Sequence, residues 1–221
     1  MSVRRLARQQ PESFAFSEQT RPQLDFWLAK YPANRRQSAV IPILWLIQKQ
    51  EGWVSEPAMR ATAELLGMAY IRVLEVATFY TMFQLEPVGS VALIQVCGTT
   101  PCRLRGAEAV MDVCKQKIGA KDHLSADGKF TWQEVECLGA CVNAPMAQIN
   151  DYYFEDLTPE TMTRIIDEFA AGGQPKPGPY VERNNSAPVG PQPTLLDATL
   201  YDGSRARMVE LPNRPQPEPA T

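Results

Sequence analysis

The chain has 221 residues, 44% of them hydrophobic, and a net charge of −3, with a sequence pI near 5.4. That length supports one substantial core or two smaller ones, and the slight acidity argues against nucleic acid or an anionic membrane surface as the main partner. The most apolar run, Ala39 to Ile47, is interrupted by Pro42 and falls well short of the roughly 18 residues of a membrane-spanning helix. The chain is therefore read as soluble, with any membrane link running through a partner.

The first ten residues carry Arg4, Arg5 and Arg8, with no acid before Glu12. Organellar presequences share that bias, but no apolar segment of a secretory signal follows, and residues 1–19 are read as a solvated tail. Helical spacing starts at Thr20, with Gln23 in capping-box position and Leu24, Trp27, Leu28 and Tyr31 on one stripe. Asn34 to Gln50 reads as a second helix closed by Gly52, with Pro42 near its start or bending it. Ser55 can cap a third helix with Pro57 in its first turn, Met59, Thr62, Ala63 and Leu66 on one face, and Gly67 at its end. Val73, Val76, Ala77 and Tyr80 mark a fourth. Residues 20–88 thus read as a small helical bundle, with Phe79, Tyr80 and Phe83 in its core.

The period changes after Pro87-Val88-Gly89. Val91 to Val96 is a nearly continuous apolar run, as in a strand buried on both faces. Helical spacing returns at Ala107, Val110, Met111, Cys114 and Ile118, and Phe130 to Glu136 reads as a strand. Met146 to Ile149 and Tyr152 to Phe154 flank Asn150-Asp151 as a hairpin would. Thr158-Pro159 caps a last helix carrying Met162, Ile165, Ile166 and Phe169, which stops at Gly172-Gly173. The order strand, helix, strand, hairpin, helix over residues 89–173 is a compact α/β unit of thioredoxin-like size. Residues 174–221 hold ten of the 19 prolines and no sustained periodicity, and are read as an extended Pro-rich tail.

Five cysteines in a chain without a secretory signal suggest metal ligands or redox groups rather than disulfides. Four of them form two tight groups, Cys97-Gly-Thr-Thr-Pro-Cys102 and Cys137-Leu-Gly-Ala-Cys141. Each group follows a predicted strand, so both project from one edge of the sheet, where four thiolates could converge. Cys102 is expected to open the next helix and aim its N-terminal dipole at a negative centre. Gly98, Thr99, Thr100, Gly139 and Ala140 are small enough to bring backbone N–H groups close to sulfur. Spacing alone leaves three states open: a [2Fe–2S] centre, a structural zinc held by four cysteines, and disulfides. No C-x-x-C dithiol is present. Cys114 falls on a helical apolar stripe and reads as a core residue. His123, the only histidine, reads as a loop residue with no metal role. Arg103 and Arg105 could face the cysteine centre, a partner, or water. Without a G-x-G-x-x-G or Walker pattern, nucleotide binding by this chain has no support.

The segments Cys97-Gly-Thr-Thr-Pro-Cys102 with Arg103-Leu-Arg-Gly106, Val135-Glu-Cys-Leu-Gly-Ala-Cys-Val-Asn-Ala-Pro145, Gln50-Glu-Gly-Trp53 and Leu74-Glu-Val-Ala-Thr-Phe-Tyr-Thr-Met-Phe83 carry a resemblance. They resemble the 24 kDa, E-type, [2Fe–2S] subunit of respiratory NADH:quinone oxidoreductase (complex I), over about Pro32 to Phe169. The resemblance implies a thioredoxin-like [2Fe–2S] ferredoxin domain behind the helical bundle, with Cys97, Cys102, Cys137 and Cys141 as cluster ligands. It implies an electron-transfer subunit that takes single electrons from FMN on an NADH-binding flavoprotein partner, within a larger respiratory complex, with no complete active site of its own. The implied location is peripheral, on the cytoplasmic side of a bacterial inner membrane or the matrix side in a mitochondrion. Two rival expectations stand beside it: the diaphorase part of an NAD-linked hydrogenase or formate dehydrogenase, and a zinc-stabilised interaction protein with no redox role.

Overall fold

The computed structural model describes residues 4–190, 194–200 and 202. The chain divides into two compact units, Met1–Tyr180 and Val181–Thr221. Within the second, the one regular element among the described residues is a 3₁₀ turn at Ala198–Leu200. Its start is capped by the Asp197 carboxylate, which accepts from the Thr199 N–H at 3.0 Å and the Thr199 hydroxyl at 2.8 Å. Of the expected Pro-rich tail, residues 191–193, 201 and 203–221 lie outside the described residues.

The first unit begins with four helices: α1 (Arg21–Ala29), α2 (Val40–Glu51), α3 (Glu56–Leu66) and α4 (Tyr70–Phe79). The expected second helix is split, because Ala33–Ala39 is a 3₁₀ segment and the α-helix starts only at Val40. Pro42 then occupies the third helical position, where a helix leaves its N–H groups without intrahelical partners. Gly52 ends α2 at φ +81°, a left-handed conformation that strains any side chain. Ser55 caps α3 by accepting from the Ala58 N–H at 3.4 Å. Thr20 behaves differently from the expected capping box: it makes no side-chain cap, and its hydroxyl donates to Gln50 Oε1 at 2.9 Å. The start of α1 is thereby tied to the end of α2.

Ile43, Leu44, Ile47, Val54, Met59 and Phe83 are fully buried in the bundle core. Phe79 is not, at 77% exposed, and Tyr80 is 39% exposed. The helical phase that turns Val73 and Ala77 inward points Phe79 out, and α4 stops before Tyr80. Residues 4–19 also depart from the expected solvated tail. Leu6, Phe14 and Phe16 pack on the bundle core, and the Arg4 guanidinium donates to the carbonyls of Ala77, Thr78, Tyr80 and Phe83. A cation there satisfies carbonyls that the end of α4 leaves without helical donors.

The rest of the unit is β1 (Ala92–Cys97), α5 (Thr100–Leu104), α6 (Ala107–Lys117), β2 (Phe130–Val135), β3 (Ala147–Ile149), β4 (Tyr152–Glu155), α7 (Pro159–Ala170) and β5 (Gly178–Pro179). The sheet order is β2-β1-β3-β4-β5; β1 is parallel to β2 and antiparallel to β3. Ala92, Ile94 and Val96 are fully buried, but Leu93 and Gln95 are only half-buried, so β1 alternates instead of burying both faces. On its second face Gln95 donates to Gln133 at 3.3 Å and Gln133 donates to Gln84 at 3.0 Å. α6 and α7 share the core with the sheet and are joined by the Lys117–Asp167 ion pair at 2.5 Å. Thr158 and Thr161 form the capping box of α7. The compact unit runs past Gly173, because β5 pairs with β4 and Tyr180 packs against the sheet core. Extended Pro-rich sequence here closes a sheet edge, a position proline tolerates.

Candidate metal centre

Cys97 is the last residue of β1 and stands opposite Val135, the last of β2. Because the two strands are parallel neighbours, the chain leaves both at the same edge of the sheet, and the two cysteine loops start side by side. The Gly98 N–H donates to the Val135 carbonyl at 2.9 Å and the Cys97 N–H to the Met146 carbonyl at 3.1 Å. These bonds hold the first loop between β2 and the segment leading into β3. Cys102 does not open a long helix. It sits inside the five-residue α5, and α6 begins only after Gly106, so the expected alignment of a long helix dipole with the centre is absent.

The four loop cysteines come together as two pairs. Cys137 Sγ and Cys141 Sγ are 3.4 Å apart, and Cys97 and Cys102 are close enough for each thiol to shift the titration of the other. The pairs lie near enough for Cys141 to interact electrostatically with both Cys97 and Cys102. Cys97 and Cys102 are each 1% exposed, while Cys137 and Cys141 are exposed. Among the described residues, no three His, Cys, Asp or Glu side chains converge on a single ion-sized point. Cys114 is fully buried in the sheet core on α6. His123 is exposed in a loop, its Nδ1 2.8 Å from the Lys121 carbonyl.

Hydrogen bonds to sulfur come from both backbone and side chains. The Gly139 N–H donates to Cys137 Sγ at 3.4 Å, in a loop that Gly139 turns at φ +83°. Thr99 lies with its hydroxyl 3.3 Å from Cys97 Sγ. Burial acts to raise the Cys97 thiol, but hydrogen bonds from Thr99, Cys102 and the Leu138 backbone together bring it below its ordinary value. Burial and the bond to Cys97 push Cys102 up to about 12. The bond to Cys137, with burial and the nearby cysteines, raises Cys141. One thiolate is favoured at the expense of its neighbours, as expected where several titrating sulfurs crowd together. Sequence pattern pointed to Thr99 and Gly139. It missed the backbone of Leu138 and Met146, which favours the charged forms of Cys97 and Cys102, and Tyr153, whose hydroxyl donates to the Leu138 carbonyl at 2.8 Å.

Residues 24–170 match the family model described as thioredoxin-like [2Fe-2S] ferredoxin. The chain belongs to this family. The first of the E-type subunits of NADH-quinone oxidoreductase from Rhizobium meliloti (strain 1021) is 55% identical over 200 residues, which cover 88% of this chain and 73% of that protein. The E-type subunit of the same enzyme from Rickettsia bellii (strain RML369-C) is 51% identical over 158 residues, 71% of this chain and 94% of that protein. This thioredoxin-like ferredoxin is thus also a member of the E-type subunit group. Its fold resembles part of a crystal structure of an NAD+-reducing [NiFe]-hydrogenase in the air-oxidized state, at a TM-score of 0.52 and 18% identity. That match covers 59% of this chain and only 23% of the hydrogenase chain. The family's cofactor is a [2Fe–2S] cluster, and four thiols in two neighbouring pairs, with an N–H donor on sulfur, are a donor set suited to it.

Proposed function

We propose that this chain is an electron-transfer subunit of an NADH:quinone oxidoreductase, in which Cys97, Cys102, Cys137 and Cys141 hold a [2Fe–2S] cluster. The observation that carries the assignment is the meeting of two cysteine pairs at the ends of two parallel neighbouring strands. Paired thiolates suit a binuclear centre and a four-cysteine zinc site alike, and the match to a [2Fe-2S] family favours the binuclear centre. When bound, such a cluster accepts and releases one electron at a time. The chain's own residues supply four thiolates, and the Gly139, Leu138 and Thr99 groups on sulfur stabilise added negative charge there. Burial of Cys97 and Cys102 excludes water on one side. Exposure of Cys137 and Cys141 leaves the other side open to an electron donor.

NADH surrenders its electrons as a pair, in a hydride, so a flavin must stand between it and a one-electron centre. This chain carries no dinucleotide fingerprint, and the flavin and NADH sites are assigned to a partner subunit. The E-type relatives favour NADH:quinone oxidoreductase over a hydrogenase or formate dehydrogenase as the parent complex. No helix among the described residues is long and apolar enough to cross a membrane. A peripheral place on the cytoplasmic side of a bacterial inner membrane, or its mitochondrial equivalent, is in keeping with that. The test mixes the cluster-loaded chain with NADH under anaerobic conditions. It should stay oxidised until the FMN-bearing partner subunit is added, then be reduced where the potentials permit. Rapid stoichiometric reduction by NADH in a flavin-free preparation would overturn this division of roles.

A further inference from the structure

We propose that Arg103 and Glu134 are positioning residues that close the Cys97–Cys102 loop and set the charge felt by the centre it holds. The proposal rests on the ligand assignment above. Arg103 follows Cys102 directly, and its Nε donates to the carbonyl of Gly98, the residue after Cys97, at 2.7 Å. One side chain therefore bridges the two ends of the loop. Its remaining nitrogens are also engaged. Nη2 donates to Glu134 Oε1 at 2.6 Å and Nη1 to Glu108 Oε1 at 2.5 Å. The second Glu134 oxygen accepts from Lys121 Nζ at 3.1 Å. The guanidinium is thus fixed from β2 and α6 while it grips the loop, the fork geometry that distinguishes arginine from lysine.

Gly98 belongs to the same device. A Cβ built there would lie 2.4 Å from Glu134 Oε1 and 2.6 Å from its Cγ. Only glycine leaves room for the Glu134 side chain over the loop, where it meets Arg103. Lys121 and Arg103 together hold the Glu134 carboxyl below its ordinary range, so the pair is charged on both sides. The Arg103 side chain is 45% exposed and that of Glu134 27%, and ion pairs so exposed add little to global stability. What they can do is fix a loop and bias the charge next to it. Arg103 favours extra electron density on the centre, and Glu134 opposes it.

Arg103→Gln and Glu134→Gln in the cluster-loaded chain separate positioning from simple support. Potentials would be read by redox titration monitored by electron paramagnetic resonance. Glu134→Gln should raise the midpoint and Arg103→Gln should lower it, each by about threefold in the reduced-to-oxidised ratio, or about 30 mV at about 59 mV per tenfold. Arg103→Lys should keep the midpoint within half that shift. In the full chain as purified, hydrogen exchange across residues 98–104 should rise roughly tenfold in both Arg103→Gln and Arg103→Lys, from loss of the charge-assisted bond to Gly98. Parental midpoints in both neutral variants, or shifts of the same sign, would overturn the electrostatic role. Unchanged exchange in Arg103→Gln would overturn the loop-holding role whether or not a cluster is present. A parent chain that binds no cluster would refute the ligand assignment instead, which the exchange measurement does not depend on.

Discussion

Replacing Cys114 by alanine separates a cysteine that packs from four that are assigned to bind. The side chain is fully buried on α6, in a core with Val110, Met111 and Ile118. Burial pushes its thiol up to about 12, so it stays neutral and behaves as a small hydrophobe. Losing one sulfur resembles losing one methylene, about 0.8 kcal/mol of transfer free energy. A residual cavity of roughly 25 Å³ adds about 0.6 kcal/mol. The sum of about 1.4 kcal/mol should lower Tm by about 3–6 °C for a unit of this size. Thermal unfolding gives that shift, and iron and acid-labile sulfide analysis of the same sample should give the parental content. Cys97→Ala, Cys102→Ala, Cys137→Ala and Cys141→Ala should each lose or badly destabilise the centre. Loss of the centre in Cys114→Ala, together with full retention in any of the other four, would show that the wrong cysteines have been assigned.

Gly89→Ala should be far more damaging than its half-buried loop position suggests. A Cβ there falls 2.4 Å from both the Lys129 carbonyl oxygen and the Phe130 Cα, and backbone at the start of β2 cannot swing aside as a side chain can. A loss of about 3 kcal/mol or more is expected in denaturant unfolding; a loss under about 1 kcal/mol would contradict the close approach. Tyr153→Phe removes the hydroxyl that holds the Leu138 carbonyl. It should cost about 1 kcal/mol and speed loss of iron to a chelator, while leaving the iron content of fresh protein intact. Parental chelation kinetics would show that this bond does not restrain the second loop.

The elements with strong local signals were legible from sequence. Ser55 and Thr158 sit at helix starts where a side-chain oxygen can satisfy a free N–H, and Asn150 turns the β3–β4 hairpin at φ 52° because its residue type tolerates that region. The meeting of the cysteine loops followed from placing both after strands, since parallel neighbours end at one edge. Features decided by distant partners were not legible. Arg4 reads as one of three tail arginines until the end of α4 is seen beneath it. Gly178 and Pro179 look like linker, and only the exposed edge of β4 makes them a strand. Phe79 was assigned to the core on composition, whereas the exact end of α4 decides which way its ring points. The bridging role of Arg103 depends on Gly98, Glu108 and Glu134, which only folding brings around it.

The most direct measurement of the central claim is the metal and sulfide content of anaerobically purified chain, followed by dithionite reduction under electron paramagnetic resonance. A cluster-bearing chain should be reddish-brown, with about two irons and two acid-labile sulfides per chain, and on reduction should give one signal from a single unpaired electron. Stoichiometric zinc without labile sulfide, and no signal on reduction, would contradict that claim.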